Sequence, residues 1–181
     1  MKIKSEELIA DLIERTKGCL NEAEKLKQLP DTHLAQRPGP AKWNALECLE
    51  HLNLYGDFYL DEIEDRMTSS NHQANGSFSS GWLGNYFAES MLPGEQMTTM
   101  NTFKSMNTHE RNIDISAIDR FIHQQQRMLD LLSQARSVNL TKTKTGISIT
   151  NLVKLRLGDT FRVVIYHNQR HIEQAKRAVA V

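Results

Sequence analysis

This sequence predicts an all-α fold: a four-helix bundle in up-down-down-up order, with a long crossover insertion between its second and third helices. Three observations carry the prediction. Apolar residues recur at helical spacing in four long stretches. Gly and Pro together are scarce, at 9 and 4 of 181 residues. The links between the stretches are unequal, and one exceeds 40 residues.

The first stretch, 5–29, carries Leu8, Ile9, Leu12, Ile13, Cys19, Leu20, Ala23 and Leu26 between charged residues. Glu6 and Glu7 suit its N-terminus, where carboxylates meet the positive end of the helix dipole. Pro30 lies beyond its end, and Pro38-Gly39-Pro40 holds an extended connection. The second helix, 44–68, has the sharpest start signal in the chain. Asn44-Ala45-Leu46-Glu47 fits a capping box, in which Asn44 accepts from the Glu47 amide and Glu47 reaches back to the Asn44 amide.

Segment 69–112 differs in character. Its charged residues are Glu89, Glu95, Lys104, Glu110 and Arg111, and it holds Met91, Met97, Met100 and Met106 among the seven methionines. A short helix fits around 81–91. A link this long is uncommon in a compact domain unless it crosses over something or serves a function. The third helix runs over 113–136, with Asp114 or Ser116 as cap and Ile118, Phe121, Ile122, Met128, Leu129, Leu131 and Leu132 as its apolar stripe. Residues 141–149 read as a turn-rich connection. The fourth helix, 158–179, buries Phe161, Val164, Ile165, Ile172, Ala175 and Val179.

Link length sets direction. About 14 residues join helices 1 and 2, which favours antiparallel neighbours. The 69–112 link is long enough to return to the starting end and leave helices 2 and 3 parallel. The second and fourth helices then run antiparallel, and residues 1–181 form one domain with the insertion inside it.

Composition excludes several classes of function. No apolar run reaches the ~20 residues of a membrane span. The opening MKIKSEELIADLIERTK lacks the apolar core of a signal peptide, which points to the cytoplasm. Lys plus Arg number 22 and Asp plus Glu 22, so no basic excess suggests a nucleic-acid partner. Cys19 and Cys48 are too few for a disulfide scaffold and read as free, buried residues.

The histidines carry the chemistry. His33, His72, His109 and His123 fall in linkers, in the insertion or beside polar residues, and read as ordinary surface groups. His167 and His171 are four apart and share one helix face, a spacing at which two imidazoles can bind one metal ion. No Glu follows His167, which disfavours a metalloprotease motif. Both lie at the edge of the fourth helix's apolar stripe. His51 borders the stripe of the second helix, about 10 Å past its start, while His171 lies about 12 Å before the end of the fourth. In antiparallel helices the three share a level. Three nitrogen ligands leave coordination positions open, as catalytic metal sites do. The alternative is three unrelated groove histidines bonded to their neighbours.

Trp43-Asn44-Ala45-Leu46-Glu47-Cys48-Leu49-Glu50-His51-Leu52 resembles the opening of the second helix in the DinB-like (damage-inducible, YfiT-like) metal-binding proteins. Leu157-Gly158-Asp159, through His167-Asn168-Gln169-Arg170-His171-Ile172-Glu173-Gln174-Ala175, resembles the last helix of the same family. The resemblance implies the up-down-down-up bundle and a divalent metal ion on a triad of His51, His167 and His171. Zn²⁺ and Ni²⁺ both suit imidazole. Characterised members include metal-dependent transferases that use small thiols such as bacillithiol or mycothiol, and an isomerase relative. The expected function is therefore a metal-dependent enzyme, a thiol S-transferase or a hydrolase-like relative, acting on a small molecule and forming a homodimer. The alternative is a non-catalytic metal-binding or dimerising bundle. Trp43 is expected to plug the start of its helix. Trp82, Tyr86 and Phe87 suit a lid over the site or packing against the bundle.

Overall fold

The computed structural model describes residues 1–94 and 102–180, and helix dominates them. The fold is all-α in class, with only small sheets. Its long helices are α1 (Ser5–Lys27), α3 (Ala45–Thr68), α5 (Ser116–Gln134) and α6 (Leu157–Val179), joined by the short α2 (Asp31–Leu34) and by α4 (Trp82–Met91). The capping box at the start of α3 forms as the sequence predicts. Glu47 N–H donates to Asn44 Oδ1 at 2.8 Å, and Asn44 N–H donates to Glu47 Oε2 at 2.9 Å. At the start of α5, Asp114 Oδ1 accepts from the Ser116 N–H at 2.8 Å.

Each long helix packs against two others: α1 and α3 both contact α5 and α6. Ion pairs at the rim record the register. Between α1 and α5, Lys27 meets Asp119 and Glu6 meets Arg136. Between α3 and α5, Arg120 binds Glu50 and Asp57, and Arg127 binds Asp61 and Glu64. Between α1 and α6, Arg15 donates to Gln169 and Lys176 lies 3.4 Å from Glu22. The core fills in two clusters. One gathers Leu12, Ile63, Phe78, Met128 and Phe161; the other gathers Leu34, Leu49, Phe121 and Ile172. Cys19 and Cys48 are buried and unbridged, and burial raises both thiols, Cys19 to about 12. Both are therefore held in the protonated thiol form.

Two sheets trim the helices. β1 (Lys2–Lys4) pairs antiparallel with β2 (Ser77–Ser79), setting Ile3 opposite the buried Phe78. β3 (Lys144–Ile147) and β4 (Thr150–Arg156) form an antiparallel hairpin with a register shift at Gly146/Ile147. The expected turn-rich connection over 141–149 is thus half strand. Thr143 and Thr145 face inward while Lys142 and Lys144 face water, the two-residue period of a half-buried strand.

The insertion is fixed to the bundle at its beginning. α4 lays Gly84 and Ala88 on α6, and a Cβ on Gly84 would sit 2.5 Å from Asp159. Asp159 is fully buried. It accepts from Gly81 N–H at 2.8 Å, from Ser80 Oγ, and from Arg162 at 3.3 Å. Glu95, Met97 and Met100 lie outside the described residues. No helix among the described residues is long and apolar enough to cross a membrane.

Candidate metal centre

His51, His167 and His171 meet at the seam between α3 and α6, with one ligand atom of each within 4.8 Å of the others. Their ring centroids are 4.6–5.1 Å apart. His51 and Tyr55 lie one turn apart on α3, and His167 and His171 one turn apart on α6. Tyr55 contacts both His51 and His167, at 5.0 and 4.9 Å between centroids.

Hydrogen bonds fix two of the imidazoles. His51 Nδ1 lies 2.7 Å from the Met106 carbonyl oxygen and His171 Nδ1 lies 2.9 Å from Gln174 Oε1. Both oxygens only accept, so each Nδ1 carries the proton and each Nε2 offers a lone pair. His51 Nε2 and His167 Nε2 face each other at 3.2 Å. Two nitrogens bound to one tetrahedral ion at ~2.0–2.1 Å would stand about 3.3 Å apart, so this pair already has the spacing of a shared metal. The donor set fits a divalent ion of the zinc and nickel type.

The surroundings keep the ligands neutral. Burial lowers His51 to about 4, with the Met106 bond opposing it in part. Burial, and then the neighbouring His51, lowers His171 to about 3. His167 is pushed well below its ordinary range by burial and by the two other imidazoles. Neutral imidazole is the form that binds metal.

Glu47 holds the far end of the insertion against this site. Its carboxylate, fully removed from solvent, accepts from Arg37 at 2.6 and 3.3 Å and from the Glu110 N–H at 2.6 Å. Its carbonyl accepts from Thr108 Oγ1 at 2.8 Å. Glu110 takes a left-handed backbone with φ of 61°, strained for a residue with a side chain and held by that bond. One face of α3 therefore clamps 106–110 through Glu47 and His51, one turn apart.

Beside the triad lies a cavity of ≈ 870 Å³, walled in part by Trp43, Tyr55, Met91, Phe103 and His109. Trp43 is more than a plug, since its ring lies 4.8 Å from His51 and 5.8 Å from His171. Trp82, Tyr86 and Phe87 do not line the cavity; Trp82 and Tyr86 are 84% and 62% exposed. The face of α4 that docks is its small-residue face, which turns those two aromatics outward. His109, expected to be an ordinary surface residue, lines the cavity with Nε2 buried and unpartnered among the described residues. His72 and His123 are exposed and His33 is half-buried, all away from the triad.

The Met106 carbonyl had no sequence signal, because any residue supplies one. Gln174 had one: it follows His171 by three, the spacing at which side chains meet on a helix. No curated protein and no solved structure matches the chain. A sequence profile of the DinB superfamily matches residues 15–175, most of the chain and both histidine-bearing helices. With that match, the chain belongs to the DinB superfamily.

Proposed function

We propose that His51, His167 and His171 hold one divalent metal ion, zinc or nickel, and that the protein is a metal-dependent enzyme transferring a small thiol to an electrophile. The observation that carries this reading is the convergence of three imidazoles beside an open cavity, with the Met106 and Gln174 bonds leaving Nε2 of His51 and His171 as acceptors. Such an ion, when bound, lowers the pKa of a coordinated thiol or water toward neutrality.

The chain's own residues do the rest. Met106 and Gln174 fix the tautomers, Trp43 and Tyr55 wall the reacting space, and the cavity admits a second reactant. Burial, and then Tyr59, raises the Tyr55 hydroxyl, which stays protonated as a hydrogen-bond donor. In the transfer, the thiol proton leaves to water and the sulfur bonds to the electrophilic carbon. The leaving group departs with its electron pair. Hydrolysis is the same site acting on water.

The up-down-down-up order belongs to this reading. Contacts rising together from Glu50–Arg120 to Glu64–Arg127, and from Arg15–Gln169 to Glu22–Lys176, support parallel α3/α5 and α1/α6 pairs. Contacts running oppositely, Lys27–Asp119 with Glu6–Arg136 and His51–His171 with Tyr55–His167, support antiparallel α1/α5 and α3/α6. A cytoplasmic homodimer with one domain per chain completes the proposal.

Metal analysis of protein purified without a nickel column tests the first step, and a screen of thiols against aryl halides and epoxides tests the second. About one zinc or nickel per chain with thiol transfer is expected. A loaded protein that turns over neither thiol nor water would be the non-catalytic metal-binding bundle.

A further inference from the structure

A nucleophile that attacks as thiol or water must give up a proton, and the cavity offers few groups to take it. Among the described residues that line it there is no aspartate or glutamate. Its lysine and arginine side chains are hydrogen-bond donors and not acceptors. Four histidines line it, and three of them are the triad, whose nitrogens meet one another, Met106 and Gln174. The fourth is His109.

His109 has a spare nitrogen. Its Nε2 is buried and has no hydrogen-bond partner among the described residues. Leaving such an atom unpaired is costly, yet the fold fixes the residue in place. The residues on either side of it are tied to α3. Thr108 Oγ1 donates to the Glu47 carbonyl at 2.8 Å, and Glu110 N–H donates to the Glu47 carboxylate at 2.6 Å. The His109 N–H donates to Asn107 Oδ1 at 3.0 Å, and Glu110 completes the turn in its left-handed backbone. Backbone strain of this kind gathers at functional sites. Beside the other ring nitrogen, Glu110 Oε2 stands 3.9 Å from Nδ1. That is wider than a hydrogen bond, but a carboxylate there favours the tautomer with its proton on Nδ1 and the lone pair on Nε2. Catalytic hydrogen bonds are often this long before a reactant fills the site.

We infer that His109 is the general base of the reaction: Nε2 accepts the proton of the attacking thiol or water, and Glu110 faces the imidazolium that results. The S–H or O–H bond breaks and its electron pair forms the new bond to the electrophile. The proton bonds to Nε2 and passes on to water, while the leaving group departs with its own electron pair. This deepens the proposed function by naming the group that receives the proton, and it rests on that reading for the identity of the nucleophile.

The test compares zinc-loaded full-length protein with His109→Gln, using chlorodinitrobenzene as the electrophile. The variant should keep its zinc by elemental analysis, because His109 stands outside the triad. With mercaptoethanol it should lose about 100-fold in kcat with KM nearly unchanged. Nitrothiophenol arrives already ionised and needs no base, so the two proteins should transfer it at similar rates. An equal loss with both thiols would make the role structural, and an undiminished rate with mercaptoethanol would leave no role; either overturns the inference. Nitrogen NMR of the metal-free protein in mildly alkaline buffer gives a readout independent of turnover. The imidazole signals that His109→Gln removes should show the proton on Nδ1 and none on Nε2, and the reverse tautomer overturns the inference. If wild type transfers neither thiol, the thiol reading fails and hydrolysis of nitrophenyl acetate decides for His109. A slowed variant then supports the general base, and equal rates or no hydrolysis by either protein overturn it.

Discussion

Replacing Glu47 with glutamine tests how the bundle and the metal centre are joined. The carboxylate serves Asn44 N–H, Glu110 N–H and Arg37 at once, all from a fully buried position. The glutamine oxygen can keep one of the two N–H donors, but its amide group must then face the other or Arg37. One buried donor left without an acceptor costs about 1–3 kcal/mol. The weakened cap adds up to about 1 kcal/mol. The Arg37 contact adds less, because its side chain is 34% exposed and water takes it back. The sum is about 1–4 kcal/mol, which for a chain of this length lowers Tm by roughly 2–16 °C.

The same change loosens 106–110, and with it the carbonyl that orients His51. Loss of such an outer partner typically costs about 10–100-fold in metal affinity, so a tenfold loss is expected here. pH supplies a check of sign. Burial raises the Glu47 carboxyl, but the bonds from Arg37, Asn44 and Glu110 outweigh it and leave the group below its ordinary 4.5. Its contribution is therefore present above pH 4.5 and is lost as pH falls through the lowered folded value. Urea unfolding at pH 7 and pH 4, with zinc titrations at pH 7, measures all three effects. Stability within 0.5 kcal/mol of wild type at pH 7, together with unchanged zinc affinity, would refute the reasoning; ~0.5 kcal/mol is the scatter of a neutral surface substitution.

Other expectations follow from the same geometry. His51→Ala, His167→Ala and His171→Ala should each lose most bound metal, and His123→Ala should keep it, by elemental analysis of untagged protein. Chelation should lower the melting temperature and leave the helices folded, because metal near 100 times its Kd adds only about 3 kcal/mol. The metal-free protein should weaken as pH falls below 6.5. Its imidazoles stay neutral when folded and protonate when unfolded, a loss of up to about 1.4 kcal/mol per pH unit for each, and His167→Gln should make the fall shallower in acid titrations. Gly84→Ala should cost about 2 kcal/mol in thermal unfolding, the usual effect of overpacking, since the added methyl meets Asp159 at 2.5 Å.

Much of this was readable in the residues. Asn44 and Glu47 announced the start of α3 because a cap is a local device with a fixed spacing. The three histidines could be brought to one level because helix rise is constant. The hairpin escaped notice because Thr and Lys carry little hydrophobic contrast, although the Thr143/Thr145 and Lys142/Lys144 alternation was there. The outward turn of Trp82 and Tyr86 was illegible for a different reason. Aromatic residues usually seek the core, and only the close approach of Asp159 to Gly84 shows that the opposite face of α4 docks. The return of the insertion's far end to the triad followed from topology, since a link of more than 40 residues that starts a parallel helix must come back to that end of the bundle; that Met106 and His109 are the residues brought there is something no local pattern encodes.

The crossover is held at its two ends by carboxylates that belong to the bundle. Asp159 grips Ser80 and Gly81, and Glu47 grips Glu110. Both gripping residues sit in the first turn of a long helix, and each holds its partner mainly by backbone or hydroxyl groups that many sequences can supply. Between the end of α4 and Phe103 neither grip nor any described residue docked on α6 is involved, so a change of length there leaves both attachments in place. Lengthening a loop costs only as the logarithm of its length, so duplicating or trimming residues there is a small thermodynamic event. Met91 and Phe103, two walls of the cavity, bound that stretch. Remodelling there would reshape the cavity while leaving the histidines and the two carboxylates where they are.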